Sequence, residues 1–149
     1  MNETLDRCKM DFNELIPTMI SSRFEKDKYF VTGSRRFGVE TQESDLDIVL
    51  ETGSASILKQ ALDAVDIKTT KSSYFDGWYY IYQELKINII PLSGVQFEAW
   101  KMAAEINDKF KLFGKNKSER LVMHGILHTL AQQKIMRHEI NNKILGGNL

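Results

Sequence analysis

The stretch VTGSRRFGVETQESDLDIVL, Val31 to Leu50, decides how this chain is read. It opens on a glycine–serine turn and closes on two aspartates inside an apolar run. Side chains along a strand alternate between its faces. Asp45, Asp47 and Val49 therefore point one way, and Leu46, Ile48 and Leu50 the other. The apolar set can enter a core against helices. The two carboxylates then stand together at the start of the strand, where they repel each other unless a cation lies between them. Paired same-face carboxylates suit Mg²⁺, a hard ion that takes oxygen ligands and shares them with substrate phosphates. Two such ions can clamp both sides of a phosphoryl displacement.

The turn supplies the complementary half. KYFVTG, Lys28 to Gly33, is a short β-branched and aromatic run that stops at Gly33, so it predicts a strand. A glycine there lets backbone N–H groups approach a phosphate, and the start of a following helix adds free donors. Ser34 is a natural N-cap and offers a hydroxyl. Arg35 or Arg36 can neutralise phosphate charge, and Gly38 lets the loop fold back over a ligand. Alone, Asp-Leu-Asp usually means an exposed edge, and Gly-Ser a simple turn. In this order, eleven residues apart, they are far more specific than either.

Outward from this stretch the chain alternates its periodicities. Residues 4–25 have roughly helical apolar spacing, with Pro17 as a kink or break. SASILKQALDAV, Ser54 to Val65, predicts a serine-capped helix. Ile67 to Phe75 and Trp78 to Glu84 read as strands around Asp76-Gly77, a strong hairpin signal. LKINIIPL, Leu85 to Leu92, reads as another strand, and Val95 to Ile106 as a helix. Residues 118–144 predict a long helix with Met123, Ile126, Leu127 and Leu130 on its buried side; GGNL reads as a frayed tail. The implied fold class is α/β or α+β, a mixed sheet with flanking helices and a long C-terminal helix. The 149 residues fit one domain, with a core over about 28–107 and a helical extension over about 118–144.

Composition narrows the function classes. Twenty basic residues balance twenty acidic ones, which argues against a nucleic-acid binder driven by net charge. Five of the nine basic residues after position 100 lie in KFKLFGKNKSER, Lys109 to Arg120, a solvated loop or one that faces phosphate. The single cysteine, Cys8, suits a reducing compartment, and no Cys/His set has zinc spacing. No signal peptide or membrane-spanning run is evident, so a cytoplasmic protein is expected. Trp78, Tyr80 and Tyr82 share a strand face that could stack a base, although such rows more often serve packing. His124 and His128 are helical neighbours without the further ligands a metal site needs, which favours partly buried, hydrogen-bonded histidines. Lys101 reads as an exposed helical lysine.

GSRRFG followed by SDLDIVL resembles the signature of the polymerase-β-type nucleotidyltransferase superfamily: Gly-Ser, a short helical loop with a further glycine, then Asp-x-Asp in a strand. In size the chain looks like the small standalone, minimal members. The specific match covers about twenty residues, and the element order over 28–107 agrees more loosely. The resemblance implies binding of a nucleoside triphosphate with Mg²⁺ (or Mn²⁺) and transfer of a nucleoside monophosphate to an acceptor hydroxyl, with release of pyrophosphate. It implies that Gly33 and Ser34 hold the β- and γ-phosphates and that Asp45 and Asp47 bind metal. The acceptor is left open among a small molecule, a protein and RNA. The family carries a third carboxylate on a later strand, where this chain has Asn88; Glu84 is the nearby acid. An amide oxygen ligates Mg²⁺ weakly but cannot act as a base. The alternative expectation is therefore a catalytically impaired nucleotide-binding or antitoxin-like module with a protein partner.

Overall fold

The computed structural model describes residues 16–37, 44–110 and 117–146. The chain divides into two compact units, Met1–Leu92 and Ser93–Leu149. The first unit ends at Leu92, ahead of the helix that follows.

The first unit carries the sheet. A four-residue helix α1 (Thr18–Ser21) and a 3-10 turn (Lys26–Lys28) lead into β1 (Tyr29–Thr32). After the short helix α2 (Ser34–Phe37) come β2 (Leu46–Glu51), α3 (Thr52–Ala64), β3 (Thr70–Lys71), β4 (Trp78–Tyr82) and β5 (Leu85–Leu92). The spatial order is β1-β2-β5-β4-β3. β2 and β5 pair in parallel at the centre, and every other pair is antiparallel. The mixed α+β class expected from the sequence is the one observed.

Strand alternation assembles the core. Tyr29 and Val31 of β1, Leu46, Ile48 and Leu50 of β2, Ile87 and Ile89 of β5, and Trp78 and Tyr80 of β4 share one face. Helix α3 covers that face with Ala55, Leu58 and Leu62, three positions on one helical stripe. Complete burial of an aliphatic side chain such as Leu58 contributes roughly 1.5–3 kcal/mol. Helix α3 ends with Asp66 in the left-handed region (φ 59°), and the Ile67 N–H donates to the Leu62 carbonyl at 2.9 Å. Ile67 then packs against the same core. The helix begins at Thr52, two residues before the expected serine cap, and Ser54 is buried in its first turn.

Two local expectations change. Asp76-Gly77 does not form a two-residue hairpin. β3 is only two residues long, and residues 72–77 form a loop closed by Ser72 N–H to the Gly77 carbonyl at 2.9 Å. A Cβ at Gly77 would collide with the Ile89 carbonyl and the Phe75 ring, so glycine is needed there for close approach. The tight hairpin instead joins β4 to β5 through Gln83 and Glu84, both at positive φ (51° and 66°). That conformation normally selects Asn and Gly. Here two well-packed strands impose it on residues that do not favour it.

The second unit is a helical pair, α4 (Gly94–Phe110) and α5 (Lys117–Gly146), packed against each other. Leu127 and Ala131 are buried on α5, with Met123 partly so. Ile126 and Leu130, expected on the buried side, are 48% and 58% exposed. They lie on the side of α5 away from Leu127 and Ala131, because 100° per residue carries the stripe through positions 124, 127, 128 and 131 instead. No helix of the described residues is long and apolar enough to cross a membrane. The helical spacing expected over 4–25 falls mostly outside the described residues, as do Cys8, the central lysine-rich loop and the last three residues of the GGNL tail, whose Gly146 ends α5.

Candidate functional site

The face of the sheet opposite the core is apolar at one end and polar at the other. Phe30, Val49 and Ile90 occupy the apolar end, with Phe30 and Val49 buried. Toward the N-terminal ends of the two central strands the same face becomes polar. Parallel register sets Asp47 beside Asn88, and one step earlier, Leu46 beside Ile87. Carried back one more residue, Asp45 stands beside Lys86. Adjacent strands lie about 4.8 Å apart, so these four side chains form the corners of a small square: two acids on the β2 side, an amide and an ammonium on the β5 side.

Asn88 ties the acids together. Its Nδ2 donates to Asp47 Oδ1 at 2.8 Å and to Asp45 Oδ2 at 3.2 Å, one hydrogen for each carboxylate. Asn88 is 7% exposed, and its Oδ1 is buried without a hydrogen-bond partner among the described residues. Lys86 Nζ stands 3.8 Å from Asp45 Oδ2 and 4.3 Å from the centre of the Tyr79 ring, on the neighbouring strand. Attraction to the carboxylate and to the ring face both hold the ammonium there.

The Gly-Ser turn meets this square from the other side. Gly33 has φ 75°, a left-handed conformation, and a Cβ on it would collide with Asp47 Oδ2. Backbone freedom and the approach of Asp47 thus both require glycine. Ser34 is the first residue of α2, and the Gly33 carbonyl accepts from the N–H groups of Arg36 (3.1 Å) and Phe37 (3.2 Å). Gly33, not Ser34, therefore occupies the capping position. The Arg35 guanidinium donates twice to the Ser44 carbonyl, at 3.0 and 2.7 Å. This contact pins the residue just before Asp45 to the α2 turn. Arg36 Nη1 donates to the Val31 carbonyl at 2.9 Å. Both arginines thus bind the backbone that frames the site. Gly38 lies outside the described residues.

Gly33, Asp45, Asp47 and Asn88 are brought together, as the residue pattern suggested. Glu84 is not: it lies in the β4–β5 turn, exposed, four residues before Asn88. Trp78 and Tyr80 belong to the core on the far face, so they do not line this site. Burial pushes the Tyr80 hydroxyl up to about 12, with a further rise from Tyr82, and its oxygen finds no hydrogen-bond partner among the described residues. Lys86 and Tyr79 were not singled out from the sequence. Their signal was available: Lys86 is two residues before Asn88, hence on its face, and Tyr79 sits between the two core aromatics.

Among the described residues, no group of three or more His, Cys, Asp or Glu side chains gathers to hold a metal. The donor set here is two carboxylates and one amide. Rotating the Asn88 amide by a half-turn exchanges Oδ1 and Nδ2. That would aim a third hard oxygen between Asp45 and Asp47, the type of donor Mg²⁺ or Mn²⁺ prefers. The residues present therefore fit such an ion.

The second unit holds a polar cluster of another kind. The His124 and His128 rings stack with centroids 6.3 Å apart, and Trp100 meets them edge-on at 4.6 and 6.0 Å. His128 Nε2–H donates to Gln96 Oε1 at 2.8 Å. Burial, aided by His128, pushes His124 down to about 4, and burial lowers His128 as well. Both rings are partly buried, as expected, and His128 has the expected hydrogen bond. No family model, curated protein or solved structure matches the chain.

Proposed function

We propose that the sheet unit binds a nucleoside triphosphate with Mg²⁺ or Mn²⁺ and transfers its nucleoside monophosphate to an acceptor hydroxyl, releasing pyrophosphate. The observation that carries this reading is the convergence of Asp45, Asp47 and Asn88 on the turn at Gly33. Asp45, Asp47 and the Asn88 oxygen would hold the cation, which supplies charge neutralisation at the transferring phosphorus when bound. The backbone at Gly33 and Ser34 would hold the β- and γ-phosphates. Arg35 and Arg36 keep that turn and the approach to Asp45 in shape. The new bond joins the acceptor oxygen to the α-phosphorus as the bond to pyrophosphate breaks. The hydroxyl proton passes to solvent, because the Asn88 amide cannot accept it. The lone cysteine, Cys8, supports a cytoplasmic setting for this chemistry.

The test uses labelled nucleoside triphosphates with Mg²⁺ or Mn²⁺ and acceptors drawn from small molecules, proteins and RNA. Pyrophosphate release that disappears when Asp45→Ala and Asp47→Ala are combined is the expected result. Release that survives the double change removes the acid pair from the mechanism.

One observation favours a second reading. The amide of Asn88 lies between two acids where a third carboxylate would serve as base. A module that binds nucleotide without turnover, or that masks a protein partner in the manner of an antitoxin, needs no base. Calorimetry would then detect nucleotide or a partner complex without pyrophosphate. Asn88→Asp separates the readings: a large gain in turnover marks a site short of its base, and no change places the proton acceptor elsewhere.

A further inference from the structure

We infer that Lys86 is a nucleotide-binding residue of this site, held by Asp45 until a divalent cation takes that carboxylate. The inference rests on the proposed binding of a metal-bound triphosphate. It begins with how the cations near the acids are engaged. Arg35 and Arg36 donate to the carbonyls of Ser44 and Val31, and Lys28 pairs with Glu51 at 3.0 Å. Lys86 reaches the acid pair through Asp45, at 3.8 Å. That separation is at the outer limit of an ion pair and beyond hydrogen-bond length. Its side chain is 36% exposed, so the ammonium can swing toward a ligand without breaking a buried bond.

The geometry makes the ammonium and a divalent cation competitors for one carboxylate. A metal on Asp45 would repel an ammonium that stands 3.8 Å from the same carboxylate. The nucleotide that accompanies the metal brings phosphate oxygens to the same corner of the sheet. Lys86 then exchanges a carboxylate for a phosphate oxygen, on the far side of the acids from the Gly33 turn. Tyr79, beneath the ammonium in the resting arrangement, keeps the lysine poised over the face rather than in solvent.

This arrangement predicts effects of opposite sign from one substitution. Lys86→Met removes the competing charge but keeps the length and apolar stem of the side chain. Titration of the free protein with Mn²⁺ alone, followed by calorimetry, should show roughly two- to fivefold tighter binding, the scale of an exposed ion pair. Titration of the Mn²⁺-saturated protein with a nucleoside triphosphate should show about tenfold weaker binding, the scale of a lost charge-assisted hydrogen bond. Lys86→Arg should restore most of the nucleotide affinity. A lysine that merely supports the sheet would move both affinities in the same direction, with a lowered melting temperature, and that result overturns the inference. Equal affinities in wild type and Lys86→Met overturn it as well. If the wild-type protein binds neither Mn²⁺ nor nucleotide, the proposed function itself fails, and the role of Lys86 falls with it.

Discussion

The two polar clusters of this protein begin from the same kind of sequence pattern and end in opposite chemistry. Asp45 and Asp47 are like residues at strand spacing, and His124 and His128 are like residues at helical spacing. The difference lies in what the rest of the chain sets against each pair. The acids receive an amide hydrogen for each carboxylate, an ammonium at 3.8 Å and a glycine turn pressed against Asp47. All of these partners suit negative charge or oxygen ligation. The imidazoles receive an indole edge, each other's faces and one glutamine oxygen. Those surroundings suit neutral rings. A pair of like residues is thus a poor guide to chemistry until its third and fourth neighbours are known.

The largest expected effect breaks the acid cluster. Gly33→Ala places a methyl group against Asp47 Oδ2 in a left-handed backbone. The conformation alone costs about 1–3 kcal/mol, and moving Asp47 adds to it. Urea unfolding should show a loss of about 3 kcal/mol, and Mn²⁺ titration should show a weakened site. A variant that retains both stability and metal affinity would mean that the turn does not constrain Asp47.

The next effect tests the neutrality of the imidazoles. His124 titrates at about 4 in the folded chain, against 6.5 for the ordinary group. The unfolded chain therefore takes up a proton below about pH 6.5 while the folded chain does not until about pH 4. Stability is full above pH 6.5, falls between 6.5 and 4, and levels below that range. Between pH 7 and pH 5 the contribution of His124 should drop by on the order of 2 kcal/mol. Comparing wild type with His124→Gln at both pH values isolates it from the carboxylates. A variant with the same pH slope as wild type would show that His124 is charged in the fold.

The smallest effect sharpens the boundary of the acid cluster. Glu84 sits at φ 66° in the β4–β5 turn, a conformation glycine adopts without strain. Glu84→Gly should stabilise the protein by about 0.5–1 kcal/mol in urea unfolding. Metal titration should be unaffected. A fall in metal affinity would bring Glu84 back among the ligands and displace Asn88 from that role.

Much of the sheet was legible because its strands obey a period of two. Leu46, Ile48 and Leu50 had to share a face, and Asp45 and Asp47 had to take the other. Gly33 announced the turn, and LKINIIPL announced the strand that carries Asn88. Other elements misled for physical reasons. Asp76-Gly77 carries a hairpin signal, but its glycine is used against the Ile89 carbonyl. Gln83-Glu84 carries no such signal, yet β4 and β5 pair so well that the turn is forced. On α5, apolar residues occur on two sides, so periodicity could not say that Leu127 and Ala131 are buried while Leu130 is not.

The sequence by itself determined the mixed sheet, the glycine turn and the pair of acids, because each is a matter of local geometry along one strand or turn. Tertiary structure alone decided what stands beside the acids. The register of a parallel pair forty-one residues apart chose Asn88 and Lys86 as their neighbours. No local rule specifies such a register. It is set by the fit of Leu46, Ile48, Ile87 and Ile89 beneath α3, on the opposite face of the same sheet. The packing of the core therefore settles the composition of the site, since a slip of one residue would turn Asn88 inward and leave the acids facing other partners.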